Sequence, residues 1–188
     1  TTTRVSEEAA RGDRGALAQR SMDGARAVAM LSTASAVGLI VLAEPVVALL
    51  FERGRFTADD VALTARILQA YMLGVAPYSL VKIYAPAFYA VNRPRIPMTA
   101  SLVAVAANIA FNASLHDVLG APGLALGTTV AAVVNLSILR TMYPRAVAPL
   151  ADPGRGSHLG RLALANLVLG AAAWGGWRAF LAGVHAVG

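Results

Sequence analysis

Two stretches of this chain, Ile96–Leu115 and Leu119–Leu139, contain no Asp, Glu, Lys or Arg at all. A bilayer core about 30 Å thick is crossed by about 20 apolar residues of helix, so uncharged runs of this length rule out an ordinary water-soluble globule. Composition agrees: 57% of the 188 residues are apolar and 14% are charged, against roughly 25% charged in an average soluble domain. The expected fold class is all-α, a polytopic transmembrane helical bundle.

Five spans are expected. They are Ala27–Leu50, broken by Glu44 and Pro45; Val61–Ala90, which contains Arg66 and Lys82; Ile96–Leu115; Leu119–Leu139; and Leu162–Val184. The divisions are a basic cytoplasmic segment at 1–26, four transmembrane helices within 27–143, a Pro- and Gly-rich cytoplasmic loop at 144–161, and a fifth transmembrane helix within 162–188. Connections are short and carry breaker residues. In FERGRFTADD, Gly54 supplies a turn, and Thr57 with Asp60 three residues on predicts a capping box that starts the next helix. Two prolines in VNRPRIP separate the second and third spans, and LGAPG separates the third from the fourth. Arg14, Arg20 and Arg26 surround Leu17 and Met22, a weakly amphipathic basic stretch suited either to an anionic membrane surface or to a solvated helix.

Lys and Arg in short loops are retained on the cytoplasmic side. Arg4, Arg11, Arg14, Arg20 and Arg26 precede the first span, Arg93 and Arg95 follow the second, and Arg140, Arg145, Arg155 and Arg161 follow the fourth. Five crossings put all of these on one side. Arg53 and Arg55 fall on the other, with Arg178 near the end of the fifth span. The start is therefore expected in the cytoplasm and the end outside. The chain opens on Thr1 without a signal-peptide pattern, so it is expected to begin inside a longer protein.

Several function classes drop out. A nucleic-acid binder needs a basic face with interleaved aromatics, and 6% aromatic residues do not supply one. The absence of cysteine removes disulfides, thiol catalysis and cysteine metal sites. His116, His158 and His185 are too far apart in sequence to form a histidine metal motif. Ser79 and Lys82 spell S-x-x-K, but the partner motifs S-D-N and K-T-G are missing and a lipid-embedded serine lacks water. No enzymatic constellation is present, and no cofactor is expected apart from a cation considered below.

Charges at membrane depth are costly and therefore informative. At 1.5 Å per residue, Glu44 and Arg66 both lie about 9 Å below the same outer loop, close enough to pair across the hairpin as a structural salt bridge or to serve transport. Lys82 lies about ten residues, or about 15 Å, from the cytoplasmic loop, as a functional cation or as an anchor whose stem snorkels to the interface. Asn108 and Asn112 are one turn apart and share a face, and Thr128 and Thr129 lie on the returning helix. Amide and hydroxyl oxygens with a freed backbone carbonyl suit a hard monovalent cation; the same groups also hydrogen-bond between helices. Gly123 with Gly127, Ala171 with Gly175 and Ala172 with Gly176 mark close helix approach.

The string LLFERGRFTADD, then VKIYAPAFYAVNRPRIPM after an apolar span, resembles the lipid II flippases of the MurJ or MviN family. Those proteins share an L-F-x-x-G-x-F-T loop and a V-K-x-x-A-P-x-F-Y-A segment before a basic, proline-containing loop. NIAF followed by GLALGTTVAAVVN continues the match, and RVSEEAARGD resembles the segment that closes the family's eighth helix. The similarity runs in order over nearly the whole chain.

The resemblance implies a fourteen-helix, two-lobe transporter of the multidrug, oligosaccharidyl-lipid and polysaccharide exporter superfamily, with this chain supplying about helices nine to thirteen. The implied task is translocation of lipid II, the undecaprenyl-linked peptidoglycan precursor, across the bacterial cytoplasmic (inner) membrane by alternating access. Lipid II and membrane lipids are the implied partners, and cell-wall synthesis proteins are further candidates. The family's essential cavity arginines lie mainly on early helices outside this sequence, and the fifth span takes the place of a helix that helps form a lipid-tail groove. By motif position, Asn108, Asn112, the Leu124 carbonyl and Thr128 match a sodium site of some family members. Asn112 stands where a family member carries Asp, which removes a negative charge. Two rivals remain open: a flippase for another polyprenyl-linked glycan, and a non-transporting scaffold for cell-wall enzymes.

Overall fold

In the computed structural model, residues 14–147 and 164–178 are described, and they are helical apart from short connections. Helix α1 is Arg14–Val41, α2 is Ala43–Phe51, α3 is Ala58–Ala90 and α4 is Arg95–Ala146. Residues 164–178 form α5. The expected basic stretch at 14–26 is continuous with the apolar helix that follows, and its Leu17, Ala18, Ser21 and Ala25 are buried. Residues 1–13 and most of the 144–161 loop, with Arg155 and Arg161, lie outside the described residues, as do the first and last residues of the expected fifth span.

The breaks have local causes. Pro45 has no N–H for the Val41 carbonyl, and its ring crowds the preceding turn; α1 ends at Val41 and α2 restarts after Leu42. Gly54 turns the 52–57 connection at φ +61°. The capping box forms as expected, with the Asp60 carboxylate accepting from the Thr57 backbone N–H at 2.8 Å and the Thr57 hydroxyl accepting from Asp60 N–H at 3.5 Å. The stop after α3 is not made by proline. Asn92 adopts φ +56°, Arg93 N–H donates to Phe88 C=O at 2.8 Å and Asn92 N–H to Tyr89 C=O at 3.0 Å, a Schellman closure with asparagine at the left-handed position. Pro94 then caps α4.

Within α4 only Gly120 leaves helical geometry (φ +57°, ψ −145°). Asn135 reaches Ser101 and Gly127 abuts Asn112, so the segments on either side of this kink run antiparallel. Gly24 lies beside Ile83 and Gln69 beside Ile40, which makes α1 and α3 antiparallel. Thr129 meets Ala70 and Tyr143 meets Phe88, so α3 runs parallel to the second arm of α4. Asn166 meets Thr33 and Gly170 meets Val37, so α5 runs parallel to α1. Helix direction thus alternates in sequence order through α1, α3, the two arms of α4, and α5.

Two buried clusters close the ends. Leu17, Tyr84, Phe88, Leu139 and Tyr143 form one, gathering the start of α1, the α3–α4 turn and the end of α4. Ala43, Val47, Val61 and Ala65 form the other, around α2 and the start of α3. Large apolar side chains such as Leu31, Leu102, Ile109 and Leu167 are more than half exposed along the flanks, as lipid-facing helices require.

Among the described residues, three segments are long and apolar enough to cross a membrane: Gly15–Val41, Arg95–Leu115 and Asp117–Ala146. At 33 residues, or about 50 Å, α3 is the long enough remainder, but Gln69, Lys82 and its tyrosines dilute its apolar character. Only 15 residues of α5 are described.

Candidate functional site

The middle of the bundle holds its polar groups on facing helices. Gln69 donates to the Ile40 carbonyl at 3.0 Å, just before the α1–α2 break. Thr129 donates to the Ala70 carbonyl at 2.8 Å. A Cβ on Gly74 would stand 2.8 Å from Thr129 Oγ1 and 3.1 Å from its Cα, so only glycine lets α3 and α4 approach this closely.

Asn112 and Asn108 share a face as expected, and the Asn112 amide donates to Asn108 Oδ1 at 2.7 Å. Asn112 Oδ1 is buried without a hydrogen-bond partner and packs against Gly127, where a Cβ would overlap it. Thr128, one residue on, instead faces a cleft of about 340 Å³ between α3 and α4, with Tyr71, Gly74, Tyr78, Thr129 and Ala132. Leu124 is an exposed residue of the same arm. Among the described residues no three His, Asp or Glu side chains converge as a metal cluster.

The three membrane-depth charges separate. Glu44 and Arg66 are both exposed and do not pair: among the described residues no ion pair within 4.0 Å joins them. The reason is helical phase. Val61, Ala65 and Ala70 define the buried face of α3, and Arg66 lies about 100° round from Ala65. Glu44 lines an open cavity of about 820 Å³ with Pro45, Leu49, Glu52, Val61 and Trp177. Lys82 is eight residues short of the end of α3, and its Nζ sits 4.6 Å from the centre of the Tyr78 ring.

Gln69, Tyr71 and Tyr78 carry site geometry that the sequence reading did not single out. Tyr78 precedes Lys82 by four residues, a one-turn spacing that makes them neighbours on a helix, and that signal was available. The Gln69 contact spans 29 residues between helices and has no local signature.

Comparison with known proteins places this architecture. The sequence model of the family described as lipid II flippase MurJ matches residues 3–187. A probable lipid II flippase MurJ of Buchnera aphidicola subsp. Acyrthosiphon pisum is 38% identical over 128 residues, covering 68% of this chain and 25% of that protein. One from Vibrio cholerae serotype O1 is 35% identical over 116 residues, covering 62% of this chain and 22% of its own length. Among solved structures, a lipid II flippase MurJ in an inward closed conformation shares the fold with a TM-score of 0.73 at 24% identity, over 89% of this chain and 34% of that one. The chain therefore spans a fifth to a third of the length of these proteins, and it is a membrane protein of the lipid II flippase MurJ family.

Proposed function

We propose that this chain is part of a flippase that carries lipid II across the bacterial cytoplasmic membrane by alternating access, with no chemical step of its own. The alternation of helix direction from α1 to α5 carries the reading. It brings Arg20, Arg26, Arg93, Arg95 and Arg145 to one end of the bundle and Arg53 and Arg55 to the other, the asymmetry that holds a multi-pass protein in one orientation. This alternation supports a reading of five crossings, with α3 as the second and α5 as part of the fifth. Depleting the full-length protein and measuring lipid II in the outer leaflet tests the proposal: outward lipid II should fall, and unchanged outward accumulation overturns it.

A monovalent cation such as sodium fits the polar groups at mid-bundle. The buried Asn112 Oδ1 has no partner, and burying an amide oxygen unpaired is unfavourable. Asn108 and Asn112 would hold the ion as they stand, and Thr128, which here faces the α3–α4 cleft, would have to turn towards them with the Leu124 carbonyl to complete the set. The ion would supply the oxygen's missing partner and favour one of the two transport states. Asn108→Ala combined with Thr128→Ala in the full-length protein should abolish sodium dependence of flipping, and unaltered dependence removes these residues from the site.

A further inference from the structure

A lysine on a membrane helix ordinarily directs its ammonium along its stem to the nearer interface. For Lys82 that interface lies towards Ala90, eight residues or about 12 Å away. The side chain goes the other way. Its Nζ lies over Tyr78, one turn deeper, 4.6 Å from the ring centre, and among the described residues no carboxylate comes within 4.0 Å of it. Tyr78 is also a wall of the cleft of about 340 Å³ whose other sides include Tyr71, Gly74, Thr128 and Ala132. A cation is therefore held on the ring of a residue that also walls a mostly apolar cleft carrying two hydroxyl-bearing threonines.

We propose that Lys82, Tyr78 and this cleft form a docking point for the diphosphate of a polyprenyl-linked lipid, an inference that rests on the flippase reading above. Charge complementarity selects an oxyanion, because an ammonium without a carboxylate partner gains most from a phosphate. Depth selects a lipid. On a helix about 50 Å long centred on a core about 30 Å thick, the Lys82 backbone falls just inside the hydrocarbon edge and its ammonium lies deeper, below the level of ordinary lipid heads. A phosphate arrives there on a lipid drawn into the bundle rather than as a freely dissolved ion. The cleft volume lies at the small end of the range for ligand sites, enough for a phosphate and the first carbons of a tail against the Met72 and Val75 wall. Ordinary phospholipid heads sit further out, where a snorkelling lysine would meet them.

Calorimetry on the purified full-length protein, with farnesyl pyrophosphate as probe and farnesol and phosphatidylglycerol as controls, tests the assignment. The diphosphate should bind more tightly than either control. Lys82→Met should weaken it about tenfold or more, the loss of one charge-assisted contact, while Lys82→Arg should stay within about threefold of wild type. Ala132→Leu, which fills the cleft from α4 and leaves Lys82 in place, should weaken it as well, and it decides the matter if Lys82→Met fails to fold. Binding within about twofold of wild type in both Lys82→Met and Ala132→Leu overturns the proposal, as does equal binding of phosphatidylglycerol and the diphosphate. Lipid II flipping by the wild type, measured in parallel, keeps the two readings apart: lost diphosphate binding in the variants beside a wild type that does not flip would sink the flippase reading alone.

Discussion

The arginine-rich end of the bundle is closed by aromatic rings, whereas the opposite end is closed by alanine and valine. Tyr84 and Phe88 meet Tyr143 edge to face at 5.4 and 5.9 Å, and Leu17 and Leu139 complete a buried plug. At the other end, Ala43, Val47, Val61 and Ala65 are buried beside an open cavity of about 820 Å³ that contains Glu44 and Glu52. Large interlocking side chains make many dispersion contacts and small ones few. One end is therefore sealed by shape, and the other is held mainly by the Pro45 break, the Gly54 turn and the Thr57 cap. If the two transport states differ by movement at one end of this lobe, the physics favours the end with less packing to disrupt.

The strongest way to break the comparison is to test whether the ends lie on opposite sides of the membrane. The sequence has no cysteine, so Arg93→Cys and Arg55→Cys introduce the only thiol within it. In intact cells an impermeant maleimide should label Arg55→Cys fully and Arg93→Cys not at all until the membrane is opened. Labelling of both from outside would destroy the alternation. The next largest effect is expected on stability. Phe88 is 0% exposed, and large-to-small changes at such sites cost about 3–5 kcal/mol in soluble cores. In lipid the term for transfer from water is missing and packing remains, so Phe88→Ala should cost about 2–3 kcal/mol. Val47→Ala, which removes two methyl groups from the thinner cluster, should cost about 1 kcal/mol. Unfolding of the detergent-solubilised full-length protein measures both, and equal losses would erase the distinction between the ends.

Much of this was legible in the residues. The helices, the Pro45 break, the Thr57–Asp60 cap and the turn at LGAPG all rest on local chemistry, because each is decided by residues within one or two turns. The end of α3 was legible in place but not in cause: the prolines of VNRPRIP draw the eye, while the Asn92 closure depends on a backbone angle that proline spacing does not reveal. The Glu44–Arg66 pair failed for a different reason. Equal depth puts two charges at one level, but helical phase decides whether they face each other, and phase across a broken helix is set by packing. The same holds for Asn112: its shared face with Asn108 follows from spacing, whereas its contact with Gly127 depends on how the two arms of α4 fold back.

Between the two ends, the crossing at Gly74 sharpens the picture because it joins them. A Cβ there would stand 2.8 Å from Thr129 Oγ1 and 3.1 Å from Thr129 Cα, and the second of these is backbone that cannot swing aside. Overpacking of this kind costs about 1–3 kcal/mol, so Gly74→Ala should lower the unfolding temperature of the full-length protein. Adding Thr129→Ala removes the hydroxyl but not the backbone contact, so it should restore part of the loss. Full restoration would mean that the crossing yields at the backbone, and no loss at all would mean that α3 and α4 are not in this close contact.

The smallest expected effect is confined to the Arg53–Arg55 end. Asp60 accepts hydrogen bonds from the Thr57 backbone N–H and from the Thr57 hydroxyl, and these hold its carboxyl below the usual carboxylate range. A group whose pKa is lowered in the folded state contributes stability above its unfolded value of about 3.9, and that contribution disappears as pH falls through the folded value. Amide exchange at the first turn of α3, followed by mass spectrometry, should therefore quicken on acidification relative to intrinsic exchange, while the aromatic end stays protected. Thr57→Ala should quicken the same amides at neutral pH and flatten their response to acid. An acid response spread evenly over both ends, or unchanged in Thr57→Ala, would show that the cap does not govern this turn and that this end is held by something other than its local hydrogen bonds.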